Sequence, residues 1–213
     1  MDENQPQPGA HGVRGFIQEW GPRAIFECLL IVFSIILALA ISNWALDEQM
    51  KGRVSEARSY FAQEIRANRD LLKSDAFLPH HERLHAGLVQ VDTDHLVSPD
   101  QARAAVAPIY ATGIHMAQLR EVVWRTYSGS EVMEHMPPRV VFALNDAYIA
   151  QQQISALQTA YYPVLSALPG QIAIEHDLRG AIVSLQLHHG DVIGSEENAI
   201  NRYNAALAVL AQK

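Results

Sequence analysis

From Ala24 to Ile41 the chain reads AIFECLLIVFSIILALAI, an apolar run with a single charge at Glu27. Trp20 lies before it and Trp44 after it. A helix between those two indoles spans roughly 36 Å at about 1.5 Å per residue, which sets each ring near one edge of a hydrocarbon layer about 30 Å thick. Leu, Ile, Val and Phe each favour insertion by about 0.3 to 0.6 kcal/mol, and one acid costs about 3 kcal/mol at mid-membrane and less near an end. The sum favours lipid over a protein core. Ala38-Leu39-Ala40 has the small-x-small form of a processing site, but the stretch before the run is long and barely basic and the helical pattern continues past Trp44, so the segment reads as an anchor. Arg14 and Arg23 precede it, and Lys51, Arg53 and Arg58 follow it, so the charge rule for orientation abstains.

The stretch Glu27 to Glu48 carries a resemblance. It has Glu27 at its start, Ala38-Leu39 in its middle, and Ile41-Ser42-Asn43-Trp44 followed by Asp47-Glu48 at its end. It resembles an uncharacterised bacterial family of single-pass membrane proteins whose anchor reads roughly G-E-I, an apolar run, then A-L-x-I-N-N-W-N-E. The chain departs from that pattern with Phe26 for the Gly, Ser42 for the first Asn, and Ala45-Leu46 ahead of the acidic pair. The resemblance covers about a quarter of the chain. It implies a bacterial inner-membrane protein with its N-terminus in the cytoplasm and its helical domain in the periplasm, and it implies no activity.

The expected organisation is all-α. A polar, disordered N-terminus over 1–22 precedes a transmembrane helix over 23–46, with Gly21-Pro22 as the break between them. A soluble helical bundle follows over 47–213, opened by a stalk over 47–74. Leu46, Met50, Val54, Ala57, Phe61, Ile65, Asn68 and Leu72 recur at steps of three and four and mark a buried stripe on the stalk. Further helices are predicted over Pro79 to Val91, Pro99 to Ala111, Ile114 to Tyr127, Pro138 to Tyr162, Gln171 to His188 and Glu196 to Ala211. Ser98, Pro137 and Ser195 supply their N-terminal signals, and Gly129, Pro169-Gly170 and Gly190 to Gly194 form the loops. Core positions expected from the helical spacing are Trp124, Val140, Leu144, Tyr148, Ile154, Leu157, Tyr161, Ile182, Leu185, Ile200, Tyr203 and Leu207.

Charge and cysteine narrow the functional classes. With 16 Lys and Arg against 23 Asp and Glu and no basic cluster, nucleic acid is not an expected partner. Cys28 is the one cysteine, so no intramolecular disulfide can form.

His81-Glu82-Arg83-Leu84-His85 matches H-E-x-x-H, the geometry in which two His bind zinc and the Glu takes a proton from bound water. Arg83, the helix start at Pro79 and the lack of a G-x-x-H extension speak for a solvated helix face instead. A membrane-tethered zinc hydrolase with His81 and His85 as ligands and Glu82 as base is therefore the alternative reading. Its third ligand would come from Glu121, Glu131, Glu134 or His135. His188-His189 with Asp191 read as dipole-favoured residues at a helix C-terminus. Trp124, Tyr127, Tyr148, Tyr161 and Tyr162 could line a ligand cavity, although aromatics at helical spacing are more often core. In the anchor, Glu27, Ser34, Ala38 and Ser42 share a face whose small residues would let two helices approach closely. The expectation is a membrane-anchored interaction or sensing module with no cofactor, whose partners are the bilayer and a second copy or another membrane protein.

Overall fold

The computed structural model describes the backbone of residues 11–174 and 178–212, and the side chains of 25–160 and 178–212. Among the described residues seven α-helices follow one another: α1 (His11–Leu72), α2 (Leu78–Val89), α3 (Pro99–Val106), α4 (Val122–Tyr127), α5 (Glu131–Glu134), α6 (Pro138–Ile174) and α7 (Leu178–Leu210). A 3-10 turn, Thr93–His95, stands between α2 and α3. No strand occurs among the described residues. The chain divides into two compact units, Met1–Gly52 and Arg53–Lys213.

In the first unit α1 is helical from His11, so residues 11–22 are not the expected polar tail; residues 1–10 lie outside the described residues. Gly21 and Pro22 do not interrupt it. Proline lacks an N–H, so the helix passes this point with one hydrogen bond fewer rather than ending. The most apolar 18-residue window has a mean hydropathy of 2.7, and none of it is buried. The helix is long and apolar enough to cross a membrane. Ser34 turns its hydroxyl back to donate to the Leu30 carbonyl at 2.7 Å, which satisfies the polar group within the helix itself.

In the second unit α1 supplies the predicted stripe. Ala57, Phe61, Ile65, Asn68 and Leu72 are buried, whereas Leu46, at the other end of the expected stripe, is exposed. The Phe61 ring meets Trp124, Tyr127 and Tyr148 at centroid distances of 6.5, 5.8 and 6.3 Å. Helices α6 and α7 pack along each other and α2 packs on α7. Val140, Leu144, Tyr148, Ile154, Ile182, Leu185, Ile200 and Tyr203 are buried as expected, and Tyr161 lies outside the described side chains. Trp124, Leu157 and Leu207 are half-buried. Arg58 donates to the carbonyls of Leu210 and Gln212, closing the C-terminal end of α7.

Three expectations about helix boundaries are corrected. The loop expected over Gly190 to Gly194 is the middle of α7, which buries His189, Val192, Glu196, Ala199 and Tyr203 at steps of three and four. Continuous burial of that face outweighs about 1 kcal/mol of lost helix propensity per glycine. The turn expected at Pro169-Gly170 lies inside α6. Third, the helix expected from Ile114 begins only at Val122, and residues 114–121 are extended. Gly113, at φ 76°, turns the chain into this segment, a conformation that favours glycine.

Candidate functional site

The extended segment 114–121 has no neighbouring strand, so its backbone must find other partners. It finds side chains. His80 Nε2 donates to the Gly113 carbonyl at 2.9 Å, and His81 Nε2 donates to the His115 carbonyl at 2.9 Å. Gln158 pairs its amide with both backbone groups of Ala117, at 3.2 and 2.9 Å. Asn68 accepts from the Arg120 N–H at 2.9 Å and donates to the Arg120 carbonyl at 2.7 Å, which also receives Gln151 at 3.0 Å. Glu64 accepts the Val123 N–H at 3.0 Å where α4 begins. Carbonyls at 113, 115 and 117 are taken in turn, the period-two alternation of an extended chain. A helix here would have saturated the same groups internally and taken a backbone partner away from five buried side chains, Glu64, Asn68, His80, His81 and Gln151.

Beneath the first half of this strap lies a cluster of six of the chain's ten histidines: His80, His81 and His85 from α2, His115 from the strap, and His188 and His189 from α7. Pro79 opens α2, and its inward face then carries His80, His81, Leu84 and Leu88. His81 Nδ1 lies 3.0 and 3.1 Å from the two carboxylate oxygens of Glu196, and both side chains are buried. Its other nitrogen faces the His115 carbonyl, also an acceptor. His81 thus stands between two acceptors inside the domain, a buried carboxylate on one side and a backbone carbonyl on the other.

Burial disfavours the charged form of three of the rings around this pair, His80, His188 and His189. The Tyr110 hydroxyl and His189 Nε2 are hydrogen-bonded at 2.8 Å. Burial, reinforced by the charges of its histidine neighbours, pushes His189 down to about 4. His80 is also held below the usual histidine value, chiefly by burial, and so is His188. His80 stacks on His115 at 4.4 Å, and His115 Nδ1 donates to the Ala76 carbonyl at 2.8 Å. A cavity of about 10 Å³ between His81, His115, Gln158, His189 and Val192 has room for a single water.

A second polar group ties the stalk part of α1 to α6 and α7. Tyr148 donates to Glu64 at 2.6 Å, and Gln151 Oε1 accepts both Asn68 at 3.0 Å and Tyr203 at 2.9 Å. Burial raises the Tyr148 and Tyr203 hydroxyls well above the ordinary phenol value, Tyr148 with help from Glu64, so both keep the proton they donate.

The H-E-x-x-H residues are thus separated in role. His81 points inward with both ring nitrogens engaged, by Glu196 and by the His115 carbonyl, Glu82 is exposed, and His85 lies beside His189 with its Nδ1 buried and without a hydrogen-bond partner. The third ligands considered are engaged elsewhere: Glu121 with Arg125, Glu131 with Arg53 at 3.9 Å, and His135 with the Glu131 carbonyl at 2.9 Å, while Glu134 is exposed. His188-His189 stand in the middle of α7 rather than at its end. Trp124 stacks on Tyr148 at 4.8 Å and fills space as core, and Tyr161 and Tyr162 lie outside the described side chains. In the anchor, Glu27, Ser34, Ala38, Ser42 and Trp44 are exposed; the side chain of Trp20 lies outside the described residues. Sequence reasoning missed Glu196, taken for an acid at a helix start, and Tyr110. Compared with known proteins, the chain matches no family model, no curated protein and no solved structure.

Proposed function

We propose that the chain is a single-pass protein of the bacterial inner membrane whose helical-bundle domain acts as an interaction or sensing module on the periplasmic side. In this reading it works as a homo-oligomer or as an accessory subunit of a membrane complex. The observation that carries it is the apolar window of α1, of mean hydropathy 2.7, which finds no cover within its own chain. Apolar patches beyond a few hundred Å² are rare on soluble monomers, and an uncovered helix of Ile, Leu, Val and Phe far exceeds that. Lipid is the cover that a helix apolar on all sides fits. The periplasmic side rests on the anchor's resemblance alone.

The domain's polar interior supports a module that binds or responds rather than one that turns over a substrate. The buried His, Glu, Asn, Gln and Tyr groups described above are spent on holding backbone and one another.

The test is fractionation. Full-length protein should remain in the membrane pellet after alkaline carbonate and leave it only with detergent, and protease added to spheroplasts should digest the domain. Recovery in the carbonate supernatant would refute the anchor, and protection of the domain in intact spheroplasts would refute the orientation.

A further inference from the structure

We infer that the groove between α1, α2 and α6 that holds the strap is a binding site for an extended segment of a partner polypeptide, and that residues 114–121 occupy it as an internal ligand. The inference rests on the interaction reading and deepens it by naming the partner's chemistry.

The grip is aimed at main chain. Gln158 takes both backbone groups of Ala117, Asn68 takes both backbone groups of Arg120, and His81 reaches the carbonyl of His115. Any extended chain offers these groups, whatever its side chains. The side chains of His115, Gln118 and Arg120 are exposed, and Ile114, Met116 and Leu119 are half-buried. Ala117 is the enclosed residue of the strap, at 4% exposure. The groove therefore asks for an extended backbone with a small side chain at its centre and leaves the outward positions open. That is the division of labour in extended-peptide recognition, where main-chain hydrogen bonds give affinity and enclosed positions give specificity.

The groove is not built to stand empty. Asn68, His81 and Gln151 are buried, and each loses a hydrogen-bond partner when the strap leaves. Release of the strap alone is opposed by those groups, whereas exchange for a second extended chain restores the same bonds. The partner therefore enters as the strap departs, one segment for the other.

A fluorescent peptide of residues 112–124, titrated onto the full chain in detergent, tests the exchange. The tethered strap competes at an effective concentration on the order of mM, so peptide at about that concentration should bind the native chain. As it binds, the Ala117 and Arg120 amides of the chain should lose protection against hydrogen exchange, while Tyr148 in α6 and Ala199 in α7 keep theirs. Ala117→Arg lies on the strap and leaves the gripping side chains as they are; by freeing the groove it should tighten peptide binding by about tenfold or more. Peptides methylated on the backbone nitrogens of Ala117 and Arg120, or carrying Ala117→Arg, should not bind. They need no altered chain, so the groove is tested whether or not the Ala117→Arg chain folds. Absence of binding to the native chain at peptide on the order of mM overturns the inference. So does binding that leaves Ala117 and Arg120 protected, and so does a methylated peptide that binds as well as its parent. Membrane fractionation is untouched by these outcomes, so the groove can fail while the anchored module stands.

Discussion

At the scale of residues, the domain holds a buried His81–Glu196 contact in its interior and sets beside it three rings, His80, His188 and His189, whose charged form burial disfavours. Glu196 is fully buried and meets His81 through both carboxylate oxygens, so Glu196→Gln breaks a buried polar pair. Breaking one partner of a buried pair costs about 3 to 5 kcal/mol, and chemical denaturation of the detergent-solubilised protein should show a loss of that size. A much smaller loss would mean that the pair is already hydrated. The three rings set the pH dependence. His189 falls to about 4 in the folded chain against 6.5 for the free side chain, and His80 and His188 shift the same way. Between those values the unfolded chain binds more protons than the folded one. The contribution is therefore complete above pH 6.5 and is lost as pH falls toward 4, and for His189 it is at most about 3 kcal/mol. Melting temperature should decline through that window, and less so in His189→Gln. The sequence displayed the histidines but not their partner, because Glu196 is distant from His81 along the chain and only the packing of α2 on α7 joins them.

At the scale of elements, periodicity was a good guide wherever one face of a helix is buried against another helix. The stripe from Ala57 to Leu72 and the inward positions of α6 and α7 are legible in steps of three and four. Local punctuation misled where burial overrode it. Gly190 and Gly194 look like a loop, yet neither position places anything within 4 Å of an added Cβ, and α7 runs through both. Gly190→Ala and Gly194→Ala should each therefore stabilise the domain by about 0.5 to 1 kcal/mol, read as a higher denaturation midpoint. A loop with glycine-dependent dihedrals would instead be destabilised. The strap was illegible for the opposite reason. Residues 114–121 contain nothing that forbids a helix, and what makes them extended is a set of side chains contributed by α1, α2 and α6. No local window contains that information.

At the scale of the whole molecule, the apolar part of α1 is the part most fully written in the sequence, since an apolar run of this length needs no tertiary information to be recognised. What the proposed anchor does beyond anchoring depends on which face of α1 meets a neighbour. Glu27, Ser34, Ala38 and Ser42 fall close to one stripe, and the Ser34 hydroxyl is turned back on the Leu30 carbonyl, leaving the surface there small and smooth. Without a hydrophobic drive between helices in lipid, close backbone approach over small residues is what favours a pair. If self-association runs through this face, Ser34→Ile together with Ala38→Ile adds bulk where two backbones would touch while making the segment more apolar, which does not weaken insertion. Insertion should then be unchanged and cross-linking in native membranes should fall several-fold, a coupling of about 1 kcal/mol. The same two substitutions placed at Leu37 and Ile41, also as Ile or Leu, change neither bulk nor polarity and should leave cross-linking as it was. Equal cross-linking in the Ser34 and Ala38 variant would move the oligomer contact off this face and onto the helical domain, where exposed Phe142 and Ile149 on α6 would be the next residues to change.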